Sequence, residues 1–362
     1  MSNSLGNSYR VQIFGQSHSP QIGCVIEGVP AGIVPDMESI RSFMARRAPG
    51  GALSTARREA DEPRIVAGLN DRGETCGAPL TALIENADPR SRDYDRLRDI
   101  PRPGHADYTA RVKFGGHNDI RGGGQFSGRL TAPLCFAGAL AMQLLRDSGV
   151  RIRARVLRVA GIEDDAVDFL RPPMDGLCDG PLPCVNADAA ARMAGAIEAA
   201  RASGDSVGGV VECFATGLPA GLGDPMFDGV ENRLARALFG IPAVRGVEFG
   251  AGFAAADMTG SAHNDALRAA ADGVAFESNR HGGALGGITS GAPIVVRVAF
   301  KPTPSIARPQ RSVSLSRGED AELVIEGRHD PCVVPRAVPA VEAAAACALL
   351  DMMLDAGLSF PT

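Results

Sequence analysis

The chain contains no tryptophan and three tyrosines, and aromatic residues fill 5% of its 362 positions, so the core has to be aliphatic. Lysine is nearly missing too: of 37 basic residues, all but Lys113 and Lys301 are arginine. A net charge of -5 lacks the basic excess of a general nucleic-acid binder. The eight cysteines never form CxxC, and no Cys/His set has zinc spacing, so no metal site is expected and reduced thiols in a cytoplasmic protein are. No basic stretch followed by an apolar run opens the chain, so no secretory leader is expected. The longest apolar run, 130–145, is short for a membrane span and sits between Arg129 and Arg146; it reads as a buried helix. GxxxxGK[ST], a GxGxxG or a GxSxG elbow directly after a strand, and HExxH are all absent. Their absence removes support for nucleoside-triphosphate, ordinary dinucleotide, serine-hydrolase and zinc-protease readings.

What is abundant is glycine, 44 residues, which predicts tight turns and close backbone approach to ligands. Apolar residues make up 45% and charged residues 22%, an ordinary globular balance. Short β-branched runs predict strands at 11–14, 24–27, 64–67, 80–84, 209–214, 247–249 and 294–300. Helical periodicity predicts helices at 37–47, 128–147, 189–202, 231–239 and 335–354, with Asp36 capping the first and Gly149 stopping the second. The helices at 128–147 and 335–354 are apolar nearly all round, which requires burial on several sides. Strands arrive in runs rather than alternating with helices. The expected fold is therefore α+β, a layered sandwich with central helices covered by antiparallel β-sheets. No linker divides residues 1–362, which read as one domain, with 171–188 a Pro- and Gly-rich surface loop. The segments 91–125 and 301–320 show little regular pattern, as active-site loops often do.

Between residues 41 and 58 stand five arginines (Arg41, Arg46, Arg47, Arg57, Arg58) and no acid; between 301 and 317 stand four cations and no acid. Two such loops on an acidic chain suggest a site for a multiply charged anion. Of six histidines, His18, His105 and His329 each sit in a Gly- or Pro-containing turn beside Ser or Arg, and histidine suits proton transfer near neutral pH. From periodicity alone a structural role for them is as good a reading, and His117, His263 and His281 are expected to be solvated or structural. Gly122-Gly123-Gly124 precedes Gln125-Phe126-Ser127-Gly128-Arg129 and a helix, which is either an anion cradle or a flexible loop. The glycines of 282–287 suit either a flat ligand or a plain turn. These observations reach a cytoplasmic binder or enzyme for a small polyanion, and stop short of a reaction.

The order and content of the segments resemble the chorismate synthase family over nearly the whole chain. The resemblance is carried by Gly15-Gln16-Ser17-His18, Glu27–Gly32, Arg46–Gly50, Arg57-Arg58-Glu59, Arg102–Tyr108, Arg121–Gly124, Gly217–Gly223, Gly283–Ile288, Lys301–Ser305 and Gly327–Cys332. It implies a lyase that makes chorismate, the last step of the shikimate pathway of aromatic amino-acid biosynthesis, by anti-1,4-elimination of phosphate and a ring hydrogen from 5-enolpyruvylshikimate-3-phosphate. Reduced FMN is required without net redox change. The resemblance also implies a homotetramer, and a monofunctional chain without an appended flavin reductase domain. An external flavin reductase would then be the partner, with NADPH acting at most as an outside reductant. Carried over by residue, His18 would supply a proton near the flavin, and His105 would protonate or hydrogen-bond the departing phosphate. Asp330 would assist flavin N5, while Ser17 and Ser127 hold these groups in place. Arg47, Arg102, Arg129 and Arg328 would bind substrate, and Arg47 also matches an NADP contact. FMN would lie against Gln125, Phe126, Ser127, Glu231, Asn232, Gly286, Lys301, Pro302, Thr303, Pro304, Ser305 and Arg328. Three departures stand out. Gln16 replaces a frequent Glu, Gln125-Phe126-Ser127-Gly128-Arg129 replaces Arg-Ser-Ser-Ala-Arg, and Leu53 replaces a frequent Arg.

Overall fold

The structure is a computed structural model, and it describes residues 3–50, 53, 61–86, 96–178, 180–270, 273–325, 329–358 and 360. The N-terminal part forms a five-stranded antiparallel sheet from β1 (Ser4–Leu5), β2 (Arg10–Phe14), β3 (Gln21–Glu27), β4 (Pro63–Ala67) and β5 (Leu80–Glu85), in the order β1-β2-β3-β5-β4. Helix α1 (Met37–Ala45) interrupts it, capped by Asp36, whose Oδ1 accepts the Ser39 N–H at 3.0 Å. Helix α2 (Asp107–Lys113) and a 3-10 turn (Gly128–Leu130) lead into α3 (Thr131–Asp147). Gly149, at φ 82°, ends α3, with its N–H on Arg146 O at 2.9 Å and the Val150 N–H on Leu145 O at 2.9 Å.

The chain then lays down β6 (Arg151–Val159), β7 (Ile162–Glu163), α4 (Ala187–Ala202), β8 (Gly209–Thr216), α5 (Val230–Phe239) and β9 (Val244–Phe249). After the short helix α6 (Gly260–His263) come two small hairpins, β10 (Leu267–Ala270) with β11 (Gly273–Phe276), and β12 (Ala284–Leu285) with β13 (Ile288–Thr289). Strand β14 (Ile294–Phe300) returns to complete a second five-stranded antiparallel sheet in the order β7-β6-β8-β14-β9. A third hairpin, β15 (Gln310–Ser314) with β16 (Glu319–Leu323), precedes the terminal helix α7 (Val334–Asp355).

Helices α3 and α7 form the middle layer. Helix α3 packs on the first sheet and α7 on the second, and the buried aliphatic core runs continuously from Tyr9 to Phe360 through both. The helices approach very closely: a Cβ at Gly138 would lie 2.3 Å from the Ala343 Cα. Only glycine facing the alanine run 343–346 permits this crossing. By length and composition, Gly128–Asp147 and Val334–Asp355 could span a membrane; 72% and 94% of their most apolar windows are buried inside the protein. The few polar groups in α7 are matched. Fully buried Glu342 takes the Arg46 fork at 2.6 and 3.1 Å and the Ala154 N–H at 2.8 Å. Asp351 accepts the N–H groups of Asn7, Ser8 and Tyr9, each at 2.8 Å, tying the first sheet to the last helix.

Two expectations need correction. The stretch 301–320 is not irregular throughout, since it contains β15 and the start of β16, and 91–125 contains α2. In β16 the acidic run Glu319-Asp320-Ala321-Glu322 masks strand propensity. Strand β6 went unread because its arginines dilute the apolar signal, although Arg-Ile-Arg-Ala-Arg-Val alternates with period two. Its Arg155 is buried and neutralised by Glu212 at 2.8 Å and Asp164 at 2.6 Å. All eight cysteines are free, and burial pushes the thiols of Cys24 and Cys135 up to about 12, which leaves them unreactive.

Candidate active site

A cavity of about 520 Å³ opens where three loops meet the first turn of α7. These are 102–106 ahead of α2, 122–129 ahead of α3, and 300–305 after β14. Residues 239–244, at the end of α5 and the start of β9, close another side. Among the described residues, five cations reach its wall: Arg47, Arg102, Arg129, Lys301 and Arg336.

Behind Arg102 lies a compact polar cluster. Asp107, in the first turn of α2, accepts the Arg102 backbone N–H at 3.1 Å, its Nε at 2.7 Å and its Nη2 at 2.8 Å. The same carboxylate sits 2.6 Å from His105 Nδ1. Burial pushes the Asp107 carboxyl upward, but the hydrogen bonds from Arg102 and His105 outweigh it and hold the group well below the usual carboxylate range. An ionised Asp107 accepts Nδ1–H and leaves the Nε2 lone pair of His105 uncommitted. Burial lowers the His105 pKa below its ordinary value, the Asp107 hydrogen bond opposes this, and the Arg102 charge adds to the lowering. Arg102 Nη1 reaches Ser305 Oγ at 3.1 Å, and Lys301 Nζ donates to Gly104 O, so the 102–106 and 301–305 loops are tied together. Burial, then the charge of Arg245, lowers the Lys301 pKa.

The triple glycine is the wedge between the two histidines. All three residues are left-handed, with φ of 60°, 85° and 55°. A Cβ on Gly122 would stand 2.4 Å from Ser17 Oγ and 3.0 Å from His18 Nε2; one on Gly123 would stand 3.1 Å from His105 Nε2. Side chains are therefore excluded here by backbone conformation and by space together. Ser17 N–H binds Gly124 O at 3.1 Å, fixing buried His18 behind the wall. Ser127 Oγ accepts the Arg129 N–H at 3.3 Å and caps the 3-10 turn.

The remaining arginines are each held by a carboxylate. Asp61 pairs with both Arg47 and Arg129. Arg336 binds Asp330 at 2.6 Å and Arg47 O at 3.0 Å. Burial raises the Asp61 carboxyl, yet the two arginines outweigh it and hold it low. Burial, then repulsion from Arg47, lowers the Arg336 pKa.

The expected anion site is thus assembled differently from the two basic loops. Among the described residues of the first loop only Arg47 reaches the cavity; Arg41 pairs with Glu62 and Arg46 with Glu342. Of the second only Lys301 does; Arg308 pairs with Asp205 and Arg317 with Glu319. Basic runs that contain no acid are paired by carboxylates outside the run once folded, near in sequence for Arg317 and far for Arg46. Of the expected residues, the cavity wall gathers Arg47, Arg102, His105, Gln125, Phe126, Ser127, Arg129, Lys301, Thr303, Pro304, Ser305, His329 and Asp330, and Ser17 and His18 stand behind Gly122. Pro302 packs toward Gly208 instead. Glu231, Asn232 and Gly286 lie away from the cavity, around the N-terminus of α5 and the β12–β13 hairpin; the far end of that helix supplies the wall. Arg328, and with it Arg57 and Arg58, falls outside the described residues. Sequence reading missed Asp61, Asp107, Arg336 and 241–244. The acids that end the first basic run, and a cation in the first turn of an apolar helix, were the available signals.

Of the three departures, Gln16 is exposed and its backbone N–H binds Ser19 Oγ at 3.0 Å, while Leu53 is buried in the core. Among the other histidines, His281 is structural: it bridges Asp265 and Ser290 Oγ, the latter at 2.8 Å, outside the cavity.

The sequence profile described as "Chorismate synthase" matches residues 9–354. A chorismate synthase of Korarchaeum cryptofilum (strain OPF8) is 46% identical over 357 residues, covering 97% of this chain and 97% of the relative. One from Thermococcus gammatolerans is 50% identical over 343 residues, covering 94% of this chain and 95% of the relative. A crystal structure of a chorismate synthase superposes with a TM-score of 0.74 at 26% identity, over 97% of this chain and 93% of that one. With its architecture, its cation-lined cavity and these full-length similarities, the chain belongs to the chorismate synthase family.

Proposed function

We propose that this cavity takes 5-enolpyruvylshikimate-3-phosphate and eliminates its phosphate and a ring proton to give chorismate, with reduced FMN bound beside the substrate. The observation that carries this reading is the convergence of five cations and His105 on one cavity of an otherwise acidic chain. A substrate with one phosphate and two carboxylates needs such a wall, and the breaking C–O bond transfers charge to phosphate that fixed guanidinium groups stabilise. The residues also fit a flavin. The cavity volume suits a cofactor plus a small substrate. Apolar wall comes from Phe126, Pro304 and 241–244. Thr303 Oγ1 is buried in the wall without a hydrogen-bond partner among the described residues, as expected of a group reserved for a ligand.

When bound, reduced FMN lends electron density transiently and offers N5 as a proton acceptor. The protein's own share is separable. Arg47, Arg102, Arg129 and Arg336 orient the anionic groups. His105, held by Asp107, presents Nε2 for the leaving phosphate. Gln125, Phe126, Lys301 and Thr303–Ser305 hold the flavin. His18 delivers a proton near it, and Asp330, held by Arg336, supports N5. NADPH enters only through an external reductase, and the enzyme works in the cytoplasm as a homotetramer. Support for assembly comes from the β10–β11 hairpin: Leu267 and Val274 are 64% and 67% exposed, and a lone two-stranded ribbon is marginal without a partner surface.

The test is anaerobic. Protein, reduced FMN and 5-enolpyruvylshikimate-3-phosphate are mixed, and chorismate absorbance and phosphate release are followed together. Equimolar products, dependent on reduced flavin that is not consumed, are expected. NADPH oxidation without phosphate release would replace the lyase reading with a flavin reductase one, and tight binding without turnover would leave only a binding module.

A further inference from the structure

We propose that Asp61 is the positioning residue that fuses Arg47 and Arg129 into one fixed anion-binding unit. It thereby sets how the phosphorylated substrate is held; this rests on the reading above. Arg47 arrives just after α1 and Arg129 from the 3-10 turn before α3, so nothing in local sequence joins them. Their guanidinium groups are nonetheless brought to one carboxylate, Arg47 on Oδ2 and Arg129 on Oδ1. The side chain of Asp61 is 0% exposed, and those of the arginines 1% and 4%. Two guanidinium groups so far from water repel strongly, and one shared carboxylate reduces the local charge from two to one.

The same contact removes rotational freedom. Arg47 Nε is fixed on Thr131 Oγ1 at 3.1 Å; Arg129 Nε is fixed on Asn86 Oδ1 at 2.8 Å and its Nη2 on Glu85 O at 3.0 Å. Both planes are thus set from behind while both residues line the cavity. An incoming anion meets donors that need no reorganisation. The backbone at Asp61 is left-handed, φ 49°, a conformation that asparagine and aspartate tolerate best after glycine. Keeping an aspartate there retains a carboxylate where glycine would be easiest.

Asp61→Asn keeps shape and backbone tolerance and removes the charge. An amide offers one acceptor and one donor, and the donor faces a guanidinium, so one arginine is released and the pair carries two charges. Substrate binding is measured without flavin, so that no turnover is needed, and inorganic phosphate binding is measured alongside. The expected result is a split: substrate Kd rises about tenfold, while phosphate binds more tightly because net charge governs a small featureless anion. Shifts in the same direction overturn the proposal: weakening of both ligands marks a structural role, and tightening of both marks a counterion role. Should Asp61→Asn not fold, Asp61→Asn/Arg129→Gln restores the parent's net charge. Compared with Arg129→Gln alone, which loses the same cation, the double variant is expected to bind substrate still more weakly because Arg47 is no longer held, and equal Kd values overturn the proposal. A parent protein that binds substrate but never turns it over sinks the proposed function and leaves Asp61 to be judged by the binding data.

Discussion

Asp107 decides where the proton of His105 sits. With Nδ1–H on an ionised carboxylate, Nε2 is the group that meets a ligand, and burial keeps the ring neutral over more of the pH range than a free histidine. A phosphate dianion at Nε2 reverses the balance, because an adjacent negative charge favours the imidazolium. Substrate binding is therefore expected to take up about one proton near neutral pH. Calorimetry in buffers of different ionisation heat reads this directly: the apparent enthalpy should vary with buffer for the parent and lose that dependence in His105→Gln. A parent enthalpy independent of buffer would remove the histidine from phosphate contact. The stability sign follows too. The folded pKa is below the unfolded one of about 6.5, so as pH falls through that window the unfolded chain binds the proton first and this residue's contribution to stability declines.

Among the elements, the crossing of α3 and α7 is the least tolerant. Gly138→Ala puts a methyl 2.3 Å from the Ala343 Cα, a backbone atom that cannot rotate away. A loss of about 1–3 kcal/mol is expected, read as a lower urea midpoint with an unchanged slope; an unchanged midpoint would mean that the helices are free to separate. These two helices were legible in the sequence because an apolar residue on every side of a helix leaves only a buried layer as its place. Strands β2, β3, β5 and β14 were legible through β-branched runs. What was hidden was hidden by charge. Strand β6 alternates arginine with apolar residues, and its charge is cancelled by Glu212 and Asp164, which no local pattern announces. The candidate site divides the same way. His18, His105 and the triple glycine are visible because turn chemistry concentrates them. Asp61 and Arg336 enter the site through pairings at sequence distances of 68 from Arg129 and 289 from Arg47, beyond the reach of periodicity.

At the scale of the molecule, cavity charge and fold stability share the same carboxylates. Asp61 and Asp107 both have folded pKa values depressed below the unfolded range, so their stabilisation is present above that range and lost as pH falls through the depressed values. Urea midpoints are expected to drift down slightly from about pH 7 to 5, through His105, and to fall more steeply below about pH 4. Asp107→Asn should flatten that acid limb, and an unaltered limb would place the acid sensitivity elsewhere. The cavity also gathers its wall from residue 47 to residue 340, and Asp351 near the end of α7 holds the N–H groups of Asn7, Ser8 and Tyr9. A chain emerging from the ribosome N-terminus first therefore exposes Arg47, Arg102 and Arg129 long before α7 exists to support them. Until α7 is translated, the growing polypeptide has His18 and His105 but not the wall that Arg336, Ala337 and Ala340 supply, so the cation-lined cavity cannot close before that helix is made.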